Sequence, residues 1–227
     1  MLKSFIDLFF PRLCIDCKCK LITQEKFLCI DCLHDLPITD LHKIDSKLIS
    51  NVFYGSVVLE NATALFYFPK EGAVRKLIHQ LKYKNQNEIS TFLGDWLGVE
   101  LKQNRRYNSI DVVIPVPLHK KKQKLRGYNQ VTGFGKQIAK HLDTDYNDLC
   151  LLRVKNTSTQ TKKDRVSRLK TLDAIFKVST INNLAGKHIL LVDDVITTGA
   201  TIKACAKELN KIPDVKISLA VMAYTDH

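Results

Sequence analysis

The densest chemistry in the 227 residues is one run, Ile189-Leu190-Leu191-Val192-Asp193-Asp194-Val195-Ile196-Thr197-Thr198-Gly199-Ala200-Thr201. An apolar strand leads into two adjacent carboxylates, then a threonine-rich loop around one glycine, then a helical pattern. Gly199 lets the backbone approach a ligand closely. Free N–H groups at the helix start favour an anion, and the hydroxyls of Thr197, Thr198 and Thr201 add donors. The result is a phosphate cup, with Asp193 and Asp194 placed to hydrogen-bond vicinal hydroxyls or to bind Mg²⁺. The run is not a P-loop, because no lysine follows a glycine at the required position. Nor is Gly133-Phe134-Gly135 a dinucleotide fingerprint, since Ile138 stands where the third glycine would fall. An ordinary strand–turn–helix is the plain alternative; two acids, three threonines and a glycine within residues 193–201 argue against it.

A second constellation is made of thiols. Five of the seven cysteines fall between Cys14 and Cys32, as Cys14-Ile15-Asp16-Cys17, then Cys19, then Cys29-Ile30-Asp31-Cys32. Each Cys-x-x-Cys turn aims two thiolates at one tetrahedral ion, so the duplicate predicts structural Zn²⁺ on Cys14, Cys17, Cys29 and Cys32. Cys19 is a candidate to replace one ligand. A disulfide framework is the alternative, and the absence of a secretion signal argues against it. Cys150 and Cys205 lie in apolar stretches and are expected to be buried thiols.

Charge supplies the third signal. The net +12 is gathered into blocks: residues 70–85 carry +4, 102–126 carry +7 and 153–177 carry +6, whereas 1–69 sum to −1 and the last fifty are neutral. Such blocks imply a polyanion, with a merely solvated surface as the alternative. Lys120, Lys121, Lys122 and Lys124, with Lys162, Lys163 and Arg165, are the candidates for a nucleic-acid backbone. Tyr83, Tyr107 and Tyr128 neighbour basic residues and offer faces for unpaired bases, unless they are core tyrosines. Phe5, Ile6, Phe9 and Phe10 either cover the cysteine segment or dip into a membrane surface.

The elements that must position these groups follow from periodicity. Hydrophobic residues make up 45% and charged residues 26%, which excludes a disordered or collagen-like chain. No apolar run is long enough to span a membrane. Residues 1–36 read as a zinc-binding module, 37–50 as a linker and 51–227 as the main domain. Val52–Leu59 and Thr63–Phe68 predict a hairpin. Val74, Leu77, Ile78 and Leu81 predict one helix, and Phe92, Leu93, Trp96, Leu97 and Leu101 a second. Beyond residue 111 strands and helices alternate: strands at 111–115, 149–152, 174–178, 188–192 and 215–223, helices at 127–142 and 201–209. That order predicts an α/β fold with a parallel sheet flanked by helices.

Residues 189–201 resemble the 5-phosphoribosyl-1-pyrophosphate (PRPP) motif of type I phosphoribosyltransferases. More of the chain resembles the ComF family of DNA-uptake competence proteins, through Leu81-Lys82-Tyr83-Lys84, Ile114-Pro115-Val116-Pro117-Leu118-His119, Leu125-Arg126-Gly127-Tyr128-Asn129-Gln130, the segment from Arg153 to Gln160, and the double cysteine motif. The resemblance implies a phosphoribosyltransferase-like sheet with an N-terminal zinc module. It assigns the ribose hydroxyls to Asp193 and Asp194, and the 5-phosphate to Thr197, Thr198, Gly199, Ala200 and Thr201. Pyrophosphate falls to the loop bearing Arg126, and Mg²⁺ accompanies PRPP. It implies a cytoplasmic competence protein that binds single-stranded DNA and PRPP during natural transformation. A DNA-translocating helicase or recombination mediator would be a partner, and the cytoplasmic face of the inner membrane a docking surface. The alternative is an active phosphoribosyltransferase acting on a small nitrogenous acceptor; no residue is singled out as its catalytic group. A glutamine-dependent amidotransferase does not fit, because the chain opens Met1-Leu2 rather than with a cysteine nucleophile.

Overall fold

The computed structural model describes residues 11–44, 47–154, 175–179 and 183–226. The expected roles of Phe5, Ile6, Phe9, Phe10, Lys162, Lys163 and Arg165 fall on residues outside that set. So does Ala174, the expected start of a strand.

The centre is a five-stranded, all-parallel sheet in the order β1-β7-β6-β2-β3. Its strands are β1 (Ala62–Tyr67), β2 (Val112–Pro115), β3 (Asp145–Tyr146), β6 (His188–Ile196) and β7 (Lys216–Tyr224). β6 and β7 are near-continuous apolar runs because both of their faces are covered. Leu190 and Val192 point into one core, and Ile189 and Leu191 into the other. The first core is closed by α3 (Ala73–Tyr83), α4 (Glu88–Lys102) and α6 (Thr132–Leu142). Val74, Leu77, Ile78 and Leu81 form the buried stripe of α3, as the spacing requires. The second core is closed by α2 (Leu48–Asn51), α7 (Ala200–Leu209) and an antiparallel ribbon of β4 (Leu151–Arg153) and β5 (Phe176–Val178).

The cysteine segment carries α1 (Ile30–His34) and packs on the first core. Phe27 meets Phe92 edge-on at 5.6 Å, and Lys76 of α3 pairs with Asp16 at 2.8 Å. Residues 37–39 then run along the sheet edge: Tyr67 N–H donates to the Pro37 carbonyl, and Thr39 N–H to that of Leu65.

Three expected elements differ. Residues 52–59 are not a strand, and β1 pairs with β7 in parallel instead of closing a hairpin. Val52, Phe53, Val57 and Leu59 of that stretch pack into the second core, with Phe53 wholly buried against Gly199. The expected helix at 127–142 begins at Thr132. Gly127, at φ +78°, ends a separate basic helix α5 (Lys120–Arg126) in the left-handed conformation. The His119 ring accepts the Lys121 N–H and caps that helix, which has no buried residue and therefore no apolar period to read. Third, β6 does not stop at the two acids. Its pairing with β7 continues through Asp193, Val195 and Ile196, so the carboxylates sit on ordered strand.

Candidate functional site

The carboxyl ends of β2 and β6 open on a polar cavity of about 170 Å³. Asp193, Asp194 and Thr201 line it from β6 and α7; Lys122 and Arg126 come from α5, Lys82 from α3 and Arg153 from β4. Asp194 is almost fully buried, and its Oδ2 meets Lys82 Nζ at 3.0 Å. The same oxygen accepts Gln130 Nε2 at 2.6 Å. Gln130 Oε1 in turn accepts an Arg126 guanidinium N–H at 2.8 Å. An ion pair thus ties Asp194 to Lys82, and the Gln130 amide links the same carboxylate to Arg126. Asp193 accepts the Asp194 backbone N–H. Burial first, and then the neighbouring Asp194 carboxylate, push Asp193 up to about 8, against the pull of that N–H, Lys82 and Arg153. The direction of this shift favours the protonated form, which can donate to a hydroxyl.

The segment around Gln130 is built to aim it. The Asn129 side chain donates to Val116 O and accepts Val131 N–H; Ser90 Oγ donates to Gln130 O and accepts Phe134 N–H. Tyr128 OH donates to Leu81 O. The Arg126 guanidinium lies 5.4 Å from the centre of the Tyr83 ring. Leu81-Lys82-Tyr83 and Arg126–Gln130, far apart in sequence, therefore form one belt around the cavity. Lys82, Gln130 and Arg153 were not singled out as site residues from sequence. Each lies in a different one of the quoted segments, and nothing local says that these meet.

The β6–α7 turn places Gly199 against the Phe53 ring. Gly199 is the α7 N-cap at φ +68°, and no side chain caps the helix. Thr197 and Thr198 are exposed on this turn, and Thr201 faces the cavity. Lys120, Lys121, Lys122 and Lys124 are all exposed on α5. Tyr107 is buried, its hydroxyl pushed up by desolvation, and is not a stacking face; Tyr83 is exposed and Tyr128 half-buried.

The second site is the thiol cluster. The Sγ atoms of Cys14, Cys17, Cys19 and Cys29 lie within 4.8 Å of one another, with Cys17 and Cys29 at 3.6 Å. Sulfurs about 2.3 Å from a tetrahedral ion stand about 3.8 Å apart, so the cluster fits a metal such as zinc. The Cys29 N–H donates to Cys14 Sγ, and Lys18, at φ +67°, turns the chain between the thiols. Burial pushes the Cys14 thiol up, but N–H donors of the backbone at Cys29, Cys17 and Asp16 outweigh it and hold it near 6, on the thiolate side. Cys19 joins Cys14, Cys17 and Cys29, and the Cys32 thiol, which donates to Asp16 Oδ2 at 3.7 Å, also interacts with the thiols of Cys29, Cys17 and Cys14. Cys150 and Cys205 are buried thiols, as expected.

Among known proteins, the phosphoribosyl transferase domain family matches residues 132–227. Competence protein F of Haemophilus influenzae is 34% identical over 142 residues, covering 60% of this chain and 61% of that protein. DNA utilization protein YhgH of Escherichia coli K12 is 30% identical over 136 residues, covering 59% of each. The chain thus spans about three fifths of the length of these relatives. Competence protein ComFC of Bacillus subtilis is 25% identical over 199 residues, covering 86% of this chain and 77% of that protein. Among solved structures, a glutamine PRPP amidotransferase from B. subtilis aligns with a TM-score of 0.44 at 16% identity, over 63% of this chain and 30% of that one. The parallel sheet flanked by helices and the domain match over residues 132–227 give the chain a phosphoribosyltransferase-like fold. The relatives to which the chain is similar are competence and DNA utilization proteins. Among the described residues, no helix is long and apolar enough to cross a membrane.

Proposed function

We propose that the protein handles incoming single-stranded DNA during natural transformation and carries a PRPP site at the end of β6. The carrying observation is the convergence of Asp193, Asp194 and Thr201 with Lys82, Lys122 and Arg126 around one polar cavity. Carboxylates for a ribose diol and cations for phosphates are the two halves that a phosphorylated pentose needs. Mg²⁺ would accompany the ligand and neutralise its pyrophosphate. The DNA half of the reading is supported by the lysines exposed on α5 and by the names of the relatives, a competence protein and a DNA utilization protein. Zinc on the thiol cluster would fix the module against α3 and α4. We place the protein in the cytoplasm, where PRPP is made, with partners among DNA-translocating or recombination proteins. The match to the phosphoribosyl transferase domain favours a second reading, transfer of the phosphoribosyl group to a small nitrogenous acceptor.

The test is thermal unfolding with and without Mg²⁺–PRPP. Ligand at 100 times its Kd adds about 2.7 kcal/mol, which is a rise of roughly 5–10 °C in a domain of this size. The double change Asp193→Asn and Asp194→Asn is expected to abolish the rise. No rise in the parent protein refutes the PRPP site. Replacing Lys120, Lys121, Lys122 and Lys124 by Gln is expected to weaken oligonucleotide binding and flatten its salt dependence, by about 0.7 in log–log slope for each phosphate no longer neutralised. Unchanged slope refutes the role of α5.

A further inference from the structure

We propose that Cys17 is a site of reversible oxidation by peroxides, and that Cys32 is the thiol that resolves it to a disulfide and so drives the metal out of the cysteine segment. The inference rests on the reading that the cluster holds zinc, and adds a reaction to it. Five thiols lie between Cys14 and Cys32, where a tetrahedral ion takes four. The quartet of Cys14, Cys17, Cys19 and Cys29 is complete without Cys32. Cys32 nevertheless reaches the cluster. Its thiol interacts with those of Cys29, Cys17 and Cys14, and donates to Asp16 Oδ2 at 3.7 Å. One thiol beyond what the ion needs is a resident competitor for the ion's own ligands.

Exposure and proximity choose the pair. Within the quartet Cys14 and Cys29 are buried, and Cys17 and Cys19 are open to a dissolved oxidant. Of the three thiols that meet Cys32, Cys17 alone is exposed. Cys17 is therefore the ligand that peroxide can reach and that Cys32 can answer. Coordination holds it as the thiolate, the form that peroxide attacks. An accessible thiolate beside a resolving thiol goes to a disulfide before deeper oxidation. In the first step the Cys17 sulfur attacks hydrogen peroxide. An S–O bond forms, the O–O bond breaks, hydroxide leaves, and the sulfur is oxidised by two electrons to the sulfenic acid. In the second step the Cys32 sulfur attacks the Cys17 sulfur. The S–S bond forms, the S–O bond breaks, and the oxygen leaves as water with the Cys32 proton. The ion is left with Cys14, Cys19 and Cys29, one ligand short of a closed structural site. The same event removes the Cys32 thiol from Asp16, the residue that pairs with Lys76 of α3, so the module loosens from α3 as the metal goes.

The test treats the full-length, zinc-loaded protein with hydrogen peroxide in the absence of reductant. Released metal is read with a chromogenic chelator, pyridylazoresorcinol, and the products are mapped by mass spectrometry of nonreducing digests. The parent is expected to release its zinc, to carry a Cys17–Cys32 disulfide, and to take zinc up again after dithiothreitol. Cys32→Ser keeps the quartet, so it is expected to start with its zinc. Under peroxide it is expected to accumulate sulfinic or sulfonic acid at Cys17 and to lose the recovery by dithiothreitol. A Cys32→Ser variant that releases and recovers zinc like the parent overturns the inference. So does a parent in which Cys17 stays unmodified, or in which its disulfide runs to a residue other than Cys32. A Cys32→Ser variant that starts without zinc makes Cys32 a ligand and overturns its role as the resolving thiol. A parent purified without zinc refutes the metal alone, and the disulfide map still decides the pair of Cys17 and Cys32.

Discussion

Changing Lys82 to Met tests the electrostatic core of the site. The Lys82 side chain is 22% exposed and that of Asp194 9%, and their charges stand 3.0 Å apart. At an effective dielectric near 20, unit charges at that distance attract by about 5.5 kcal/mol. Desolvation and side-chain ordering remove more than half of this. Methionine keeps the apolar stem and removes the ammonium, leaving Asp194 with Gln130 as its remaining partner at that oxygen. The expected loss is about 2 kcal/mol at pH 7, which lowers Tm by roughly 4–8 °C. Adding Asp194→Asn should recover most of it, because an amide left without a cation costs little where a buried carboxylate left without one costs much. The assay is urea and thermal unfolding of the four proteins of the double-mutant cycle, at pH 7 and again under mildly acidic conditions. Additive effects, or a Lys82→Met variant as stable as the parent, would show that the pair is a solvated contact and refute the reasoning.

Asp193 makes stability fall with rising pH. Its folded carboxyl holds a proton up to about 8, whereas an unfolded aspartate releases it near 3.9, so the folded state binds the extra proton across that window and loses the advantage as pH rises through it. Asp193→Asn is expected to flatten the urea midpoint against pH relative to the parent; parallel curves would contradict this. Gly199→Ala should cost at least about 1–2 kcal/mol, since φ is +68° and the new Cβ would lie 2.9 Å from the Phe53 ring; denaturant midpoints measure it. Metal analysis should find about one zinc per chain, lost more completely in Cys19→Ser than in Cys32→Ser; the reverse order would make Cys32 the ligand.

The parts legible in the sequence were those with a local cause. The stripe of Val74, Leu77, Ile78 and Leu81 reads as a helix because one face must be buried, and 188–192 as a strand because both faces are. Residues 52–59 have strand-like composition, but Phe53 is drawn into the core beside Gly199, a tertiary preference that outweighs propensity. α5 was illegible for the opposite reason: its lysines bury nothing, and it is set by a histidine cap and a left-handed glycine. At the site, Asp193, Asp194 and the turn were visible as one contiguous motif. The link from Arg126 through Gln130 to Asp194 and Lys82 joins four separate elements, and only the fold brings them together.

The sheet order has a consequence for how the chain is made. β7 lies between β1 and β6, so the strand that pairs with β1 is the last one described. Asn61 and its partner Ser218 are 157 residues apart. At a synthesis rate of about 5–20 residues per second, β1 waits roughly 8–30 s for its neighbour. The apolar edge of β6, which carries the two aspartates, is made late and stays open only for the roughly 1–6 s that separate His188 from Lys216. The cysteine turns need no such delay, since all their thiols lie between Cys14 and Cys32. The cysteine segment can therefore order early on the ribosome, while the cavity around Asp193 and Asp194 is among the last features of the molecule to exist.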